Sequence, residues 1–375
     1  MKQQNASEKS VRLFLCGDVM LGRGIDQIFP HSVPPKIYES YVIDAKDYVR
    51  LAESKNGPIL QPVSFSYIWG DALGIWKKML PSAKIINLET SITIHQKPWE
   101  GKGINYRMHP KNVDVLKTAG IDFCSLANNH TLDWERAGLI ETLNTLKKSD
   151  IAFAGAGIND IEAATPATLP MNKGKIIVLS YGAKSSGIPK FWTAQENLPG
   201  INMLPENDEM AVALIKNEVD KIKQKNDIVI LSVHWGDNWG YDIPAKHQKL
   251  AHELIDKAGV DLIHGHSSHH PIGIEVYQNK LIIYGAGDFI NDYEGIAGYD
   301  EFRDELGLMY FPEINLENGE LISLKMFPME TKNFKLHNAS EVDALWLKSV
   351  LDREGIPLGT RVIWNEDHSL DLDWK

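Results

Sequence analysis

The sequence has few cysteines and no long apolar run, and each absence excludes a class of protein. Only Cys16 and Cys124 are present among 375 residues, each inside an apolar, strand-like run. This favours buried thiols over a disulfide framework or cysteine ligands. The first apolar run, 11–16, is too short for a signal peptide core, and no segment approaches the roughly 18 apolar residues of a membrane span. We therefore expect a cytoplasmic protein with no membrane partner.

The sequence also lacks a basic stripe. Its net charge is −11, and Lys and Arg do not cluster, so a nucleic-acid partner is not expected. No internal repeat or low-complexity tract is visible. With 43% hydrophobic residues, the chain can bury a large core, which favours one large α/β domain or one domain with an appendage. We predict a disordered tail at 1–10, the main domain at 11–305, and C-terminal strands and a helix at 306–375 that complete it.

Histidines, by contrast, are concentrated in one stretch. Four of them lie within seven positions in DLIHGHSSHHP: His264, His266, His269 and His270. A lone buried histidine is more often structural, but neutral imidazole is also the commonest side-chain ligand of transition metals, and four together favour a metal site. We predict His266 and His269 as ligands. His264 is predicted to lie back in the strand, and it is also a candidate for proton transfer.

Other apolar runs also end in residues that bind metals. The runs at 11–16, 84–88 and 227–233 are followed by Asp18, Glu89 and His234. In open α/β sheets, binding sites form outside the carboxyl ends of the strands, so residues far apart in sequence can meet there. We therefore predict that Asp18, Glu89 and His234 share a site with the histidine cluster, and that Asp288 and Asn291 support its ligands from outside.

The run at 121–127 leads into Asn129, His130 and Asp133, followed by a helical pattern. The amide oxygen of Asn129 is a candidate metal ligand, and His130 is a candidate for proton transfer. Asp133 either orients His130 or caps the helix. A mixed set of carboxylate, amide and imidazole ligands suits one or two divalent ions, with Mn favoured over Fe and Zn, and it does not favour Ca or Mg.

Basic and aromatic residues near these motifs are candidates for contact with substrate. They are Arg23, Asn105, Tyr106, Arg107, Trp235 and Trp239. Two alternatives remain open: the loop at 101–110 could be an ordinary surface loop, and the two tryptophans could belong to the core.

The order of the motifs GD, NLE, NNH…D, VHWG and GH..H resembles the CapA (capsule synthesis, poly-γ-glutamate) family of the calcineurin-like metallophosphoesterase superfold, over about 11–294. The resemblance implies an α/β four-layer sandwich, in which two central mixed β-sheets are flanked by helices, and a centre of one or two metals. It assigns six metal-binding positions and gives His130 the proton-transfer role. The six positions are Asp18, Glu89, Asn129, His234, His266 and His269.

Two departures from the superfold matter. Met20 stands where the superfold has the histidine of Asp-x-His, and Glu89 replaces a bridging aspartate. We therefore favour a metal-dependent enzyme that hydrolyses or transfers a peptide or glutamyl-type (poly-γ-glutamate-like) carbonyl substrate. The alternatives are a metal-dependent peptide epimerase that exchanges a proton at Cα, a phosphoesterase clamped by Arg23 and Arg107, and a binding protein without activity.

Overall fold

The structure is a computed structural model that describes residues 9–296 and 298–374. Most of the predicted tail lies outside these residues, and the first strand already begins at Ser10. The strands are β1 (Ser10–Val19), β2 (Ala83–Leu88), β3 (Ser91–Ile92), β4 (Arg107–Met108), β5 (Phe123–Ser125), β6 (Ala152–Ala154), β7 (Ala156–Gly157), β8 (Ala167–Pro170), β9 (Lys175–Gly182), β10 (Gly200–Ile201), β11 (Ile228–His234), β12 (Leu262–His266), β13 (Ile274–Tyr277), β14 (Lys280–Ile283), β15 (Asp288–Ile290), β16 (Leu306–Asn315), β17 (Leu321–Lys332), β18 (Lys335–Asn338), β19 (Arg361–Trp364) and β20 (Leu370–Asp373). The α-helices are α1 (Arg23–Ile28), α2 (Lys46–Asn56), α3 (Ala72–Met79), α4 (Asp114–Ala119), α5 (Glu135–Lys148), α6 (Asp160–Ala164), α7 (Asp208–Ile222), α8 (Ala245–Ala258) and α9 (Glu341–Gly355).

Two mixed sheets form the centre of the molecule. The larger has the order β19-β20-β17-β16-β1-β2-β5-β6, with β15 beside β1 and β18 beside β17. The smaller has the order β13-β14-β12-β11-β9-β8. β1, β2, β5 and β6 run parallel in the first sheet, and β9, β11, β12 and β14 run parallel in the second. Each sheet therefore gathers the carboxyl ends of several strands at one edge.

The alternation of side chains along buried strands explains how the sheets stack. In β1, Leu13 and Leu15 belong to a core shared with the smaller sheet, whereas Phe14 and Cys16 pack on the opposite face. In β11, Ile230 joins the shared core and the odd-numbered residues face outward. A strand with both faces apolar has a covering layer on each side, so the two sheets lie face to face.

Helices cover the outer faces of both sheets. α1 to α5 pack on the larger sheet, where Ile25, Ile75 and Leu139 contribute to one core, and α7 and α8 pack on the smaller sheet through Ile215 and Leu254. The predicted four-layer α/β sandwich is confirmed. β16 to β20 extend the larger sheet, and α9 packs against β13, β17 and β19.

Two smaller expectations concern the cysteines and the membrane. Cys16 and Cys124 are free and buried, in β1 and β5, as the apolar runs around them predicted. In the part of the chain that the structure describes, none of the helices combines the length and the apolar character needed to cross a membrane.

Candidate metal centre

Three predicted ligands meet where the carboxyl edges of the two sheets come together. Asp18 lies near the end of β1 in the larger sheet, and His234 and His266 end β11 and β12 in the smaller one. Each offers one ligand atom, and the three atoms lie within 4.8 Å of one another. All three residues are buried. His234 and His266 are register partners on parallel strands, which explains why their rings project from the same face.

The two histidine rings face each other through nitrogen atoms that could hold a metal. His234 Nδ1 lies 2.8 Å from His266 Nδ1. His234 Nε2 donates to Asn129 Oδ1 at 3.1 Å, and His266 Nε2 contacts Ser232 Oγ at 2.9 Å. Burial lowers the pKa of both rings well below the ordinary value. Both imidazoles are therefore neutral near pH 7, which is the form that ligates metals.

The carboxylates of the centre are crowded and incompletely satisfied. Asn87 Nδ2 donates to Asp18 Oδ1 at 2.7 Å and to Glu89 Oε2 at 2.9 Å, while Asp18 Oδ2 has no hydrogen-bond partner among the described residues. Burial raises the pKa of Asp18 to about 6. Burial and the charge of Asp18 hold the pKa of Glu89 well above its usual value. A divalent cation would neutralise both groups, so the side chains present fit a metal ion.

The other predicted ligands lie around the same place. Glu89 Oε2 is 3.8 Å from His234 Nδ1, and Asn129 touches the other nitrogen of that ring. His269 belongs to a second group that could hold a metal, formed with Asp18 and Asp288, whose ligand atoms also lie within 4.8 Å of one another. The structure therefore brings together all six residues that the sequence proposed as ligands.

His130 and Asp133 form a hydrogen-bonded pair beside these ligands. Asp133 Oδ2 accepts from His130 Nδ1 at 2.7 Å and from the backbone N–H of Tyr106 at 2.6 Å. His130 Nε2 then faces Glu89, with 3.9 Å between Nε2 and Oε1. Burial lowers the pKa of His130 to about 4 although Asp133 acts to raise it. The ring is thus neutral near pH 7, with the Nε2 lone pair directed toward the site.

Two residues that were not predicted from the sequence lie next to His130 and His269. Lys102 Nζ lies 2.7 Å from Asp133 Oδ1 and 3.1 Å from His130 Nδ1, so it balances the charge of Asp133. The Tyr293 ring packs edge-on against His269 at 5.5 Å. The loop at 101–110 was predicted to contact substrate through Asn105, Tyr106 and Arg107, but nothing in the spacing marks Lys102 as a partner of Asp133, 31 positions away.

Two predicted roles are corrected by the contacts of the residues. His264 lies in β12, as expected, but both of its ring nitrogens are engaged, since Nε2 donates to the carbonyl of Cys16 at 2.7 Å and Nδ1 contacts Ser232 Oγ at 3.3 Å. It is a core residue, which does not suit the predicted proton transfer. Trp235 donates to the carbonyl of Tyr284 at 2.8 Å and packs in the core of the smaller sheet, so it does not line the site.

The other residues predicted to contact substrate differ in whether their side chains are already engaged by protein groups. Arg107 is buried and donates to the carbonyls of His95 and Pro34 at 2.6 and 3.1 Å. Asn105 is also buried, and its Nδ2 donates to the carbonyl of Asp133 at 3.2 Å. Tyr106 packs edge-on against the His130 ring at 4.5 Å. Trp239 remains half-buried, 5.1 Å from the His269 ring, and it is the member of this set best placed to meet a substrate.

Arg23 is enclosed by protein groups. It forms ion pairs with Glu39 and Asp292, and its guanidinium lies 4.0 Å from the centre of the Tyr48 ring and 4.4 Å from that of Tyr106. Its side chain is only 1% exposed. The predicted contact with substrate is therefore replaced by a structural role, in which one cation neutralises two buried carboxylates.

We expect Arg23→Ala to lower the free energy of unfolding by about 3–5 kcal/mol, because it leaves Glu39 and Asp292 buried without a counter-charge. Urea denaturation measures the effect. The matched control is Arg50→Ala, since Arg50 also pairs with a carboxylate, that of Asp47, but its side chain is 68% exposed, so its loss should cost less than about 1 kcal/mol. Unchanged stability with a raised KM would restore the substrate role of Arg23.

The chain matches the family model described as bacterial capsule synthesis protein PGA_cap over residues 12–293. It is 42% identical over 364 residues to a probable polyglutamine synthesis accessory protein of Mycobacterium tuberculosis, covering 96% of each chain. It is 26% identical over 311 residues to the PGA biosynthesis protein CapA of Bacillus subtilis, covering 82% of this chain and 70% of that one. Among solved structures, a novel phosphatase from Mycoplasma pneumoniae gives a TM-score of 0.46 at 14% identity, covering 87% of this chain and 96% of that one.

The family match includes every motif from Asp18 to His269, in the order that suggested the resemblance. The relative from M. tuberculosis covers nearly the whole chain at an identity well above what chance similarity gives. The chain therefore belongs to the bacterial capsule synthesis protein PGA_cap family.

Proposed function

We propose that this protein is a metal-dependent enzyme that hydrolyses or transfers a peptide or glutamyl-type carbonyl in the synthesis of a poly-γ-glutamate-like polymer. The relative from B. subtilis is named for PGA biosynthesis and that from M. tuberculosis for polyglutamine synthesis, and both names support a polymer of glutamyl-type units. The observation that carries the proposal is the position of the His130–Asp133 pair beside the buried group of Asp18, His234 and His266. A proton carrier next to a site that suits a cation is the arrangement that carbonyl hydrolysis needs.

Asp18, His234 and His266 would hold the cation, with Asn129 and Glu89 beside them, and Mn suits this mixed set better than Ca or Mg. When bound, such an ion polarises a substrate carbonyl and favours attack on it. The chain supplies the remaining requirements. The site is buried between two sheets, which limits the access of bulk water, and the Asn87 amide fixes the orientation of both carboxylates.

His130 would carry the proton. Its Nδ1–H is held by Asp133, which leaves the Nε2 lone pair free on the side of the site. Nε2 takes a proton from water as the water oxygen bonds to the substrate carbonyl carbon. The same proton then passes from Nε2 to the leaving nitrogen when the C–N bond breaks, so the ring ends neutral, as it began. Asp133 stabilises the transient imidazolium and keeps the ring in position, whereas the charge of Lys102 opposes its formation and favours return of the proton.

Phosphoester hydrolysis is less well supported. Both arginines that were candidates for a phosphate clamp are engaged by protein groups, Arg23 by two carboxylates and Arg107 by two carbonyls. Met20 offers a thioether, a poor ligand for a hard divalent ion, where the superfold has an imidazole.

Epimerisation at Cα is the second candidate, because the site contains a second histidine–carboxylate pair. His269 Nδ1 lies 2.9 Å from Asp288 Oδ1, much as His130 contacts Asp133. Two histidines beside one substrate could remove a proton from one face of Cα and return it on the other. This reaction leaves the length of the substrate unchanged.

The test is incubation of the Mn-loaded protein with γ-linked glutamate oligomers in D₂O, followed by mass spectrometry. We expect shorter fragments with new termini and no deuterium at Cα, and no fragments from protein treated with a chelator. Oligomers of unchanged length that gain deuterium at Cα would select epimerisation. Equal cleavage by the chelator-treated protein would refute the dependence on a metal.

A further inference from the structure

Asp288 occupies a position that its predicted supporting role does not explain. β15 pairs in parallel with β1, and Asp288 is the register partner of Asp18. Neighbouring positions on paired strands project from the same face, so the two carboxylates emerge side by side. One oxygen of each, together with a His269 nitrogen, lies within 4.8 Å of the others. Asp288 therefore stands among the candidate ligands.

A carboxylate that only orients a metal-bound histidine contacts the ring edge remote from the metal. Asp288 does contact His269, with 2.9 Å between Oδ1 and Nδ1, but one of its oxygens also lies within 4.8 Å of an Asp18 oxygen, close enough for one cation to bind both. Asp18 Oδ2, buried and without a hydrogen-bond partner among the described residues, leaves a lone pair for a further contact. A cation between these three groups would satisfy that oxygen and offset the repulsion of two buried carboxylates.

The surroundings of Asp288 fix its orientation. Asn291 Nδ2 donates to Asp288 Oδ2 at 2.9 Å and to the carbonyl of Asp304 at 2.9 Å. This leaves Asp288 Oδ1 directed toward His269 and the site. Such a hydrogen bond to the non-ligating oxygen is the usual support of a carboxylate ligand.

We infer that Asp288 is a metal ligand, and that Asp18, His269 and Asp288 form a second cation subsite that shares Asp18 with the subsite of His234 and His266. Asp288 lies outside the six positions that the family resemblance assigns, and it would supply the ligand that Met20 cannot. This inference rests on the proposed metal-dependent function. The inference also favours hydrolysis or transfer over epimerisation, because His269 cannot act as the second base of an epimerase while it holds a cation.

Metal stoichiometry tests the inference without an activity assay. Metal-free wild type, Asp288→Ala, His234→Ala and the control Asp304→Ala are dialysed against MnCl₂, and bound Mn is counted by elemental analysis. We expect two ions per chain in the wild type and in Asp304→Ala, and one in Asp288→Ala and in His234→Ala. Asp304 is a suitable control because it is a partly buried acid in the loop after β15 that belongs to neither group of candidate ligands. Circular dichroism checks that each variant is folded.

Electron paramagnetic resonance provides a second measurement on the same samples. Two Mn ions that share Asp18 should give a spin-coupled spectrum, and Asp288→Ala should give that of an isolated ion. Two ions in Asp288→Ala would overturn the inference and return Asp288 to an orienting role. One ion in both the wild type and Asp288→Ala, with cleavage of the oligomers retained, would overturn the inference but leave the proposed function standing. A wild type without bound Mn would refute both.

Discussion

Replacing Asp18 with alanine is expected to strip the bound metal and to lower the turnover of a carbonyl substrate by on the order of 1,000-fold. Asp18 is the residue common to both groups of candidate ligands. Its loss therefore removes an oxygen from each group at once, whereas loss of His234 or His269 disturbs only one group. Elemental analysis after dialysis against MnCl₂ and a cleavage assay measure the two effects.

The fold should survive the Asp18→Ala substitution. Asp18 is fully buried, one of its carboxylate oxygens has no partner among the described residues, and burial already raises its pKa to about 6. Removing a poorly solvated charge from metal-free protein should cost little stability. Asp122→Ala is the control, because Asp122 directly precedes β5 at the opposite edge of the same sheet and should leave Mn content unchanged. An Asp18→Ala variant with full Mn content would refute the ligand assignment.

Replacing His130 with alanine should give the opposite combination, with metal content retained and turnover lowered by about 100- to 10,000-fold. Nε2 of His130 is directed at the site and lies 3.9 Å from Glu89 Oε1. His130 itself belongs to neither group of candidate metal ligands. Its removal should therefore affect proton transfer and leave binding of the ion intact. Single-turnover kinetics, alongside elemental analysis, separate the two effects.

Asp133→Asn serves as the matched variant for His130→Ala. It keeps the imidazole but weakens the hydrogen bond to Nδ1, and it leaves Lys102 without its counter-charge. We expect a smaller fall in kcat than for His130→Ala, with KM unchanged, since Asp133 acts through His130. Loss of Mn from His130→Ala would make His130 a ligand. Unchanged turnover would exclude it from the reaction.

The sequence predicted the site best where an apolar run is followed closely by a residue that can bind a metal. Apolar runs predicted β1, β2 and β11, and the residue at the end of each run predicted which side chains would meet, because parallel strands place their carboxyl ends along one edge. The support that Asp288 gives to His269 was predicted, but its position beside Asp18 was beyond this reasoning. It begins a three-residue strand, and its role depends on pairing with β1, 270 positions earlier in the chain.

Arg23 and Trp235 illustrate why predictions of substrate contact were less successful. A basic or aromatic residue near a motif can face either the site or the protein, and sequence spacing does not distinguish the two. For Arg23, the deciding partners are Glu39 and Asp292, the latter 269 positions away. For Trp235, the deciding partner is a backbone carbonyl, that of Tyr284. Such tertiary contacts leave no trace in local composition.

The division of the candidate ligands between the two sheets has a mechanical consequence. Asp18, Glu89 and Asn129 follow strands of the larger sheet, whereas His234 and His266 end strands of the smaller one. An ion bound by both sets would brace the two halves of the sandwich against sliding, and its affinity would in turn depend on how tightly those halves are stacked. Metal binding and the rigidity of the whole scaffold are thereby coupled. A substitution that loosens the packing between the two sheets should therefore first lower the affinity for the ion.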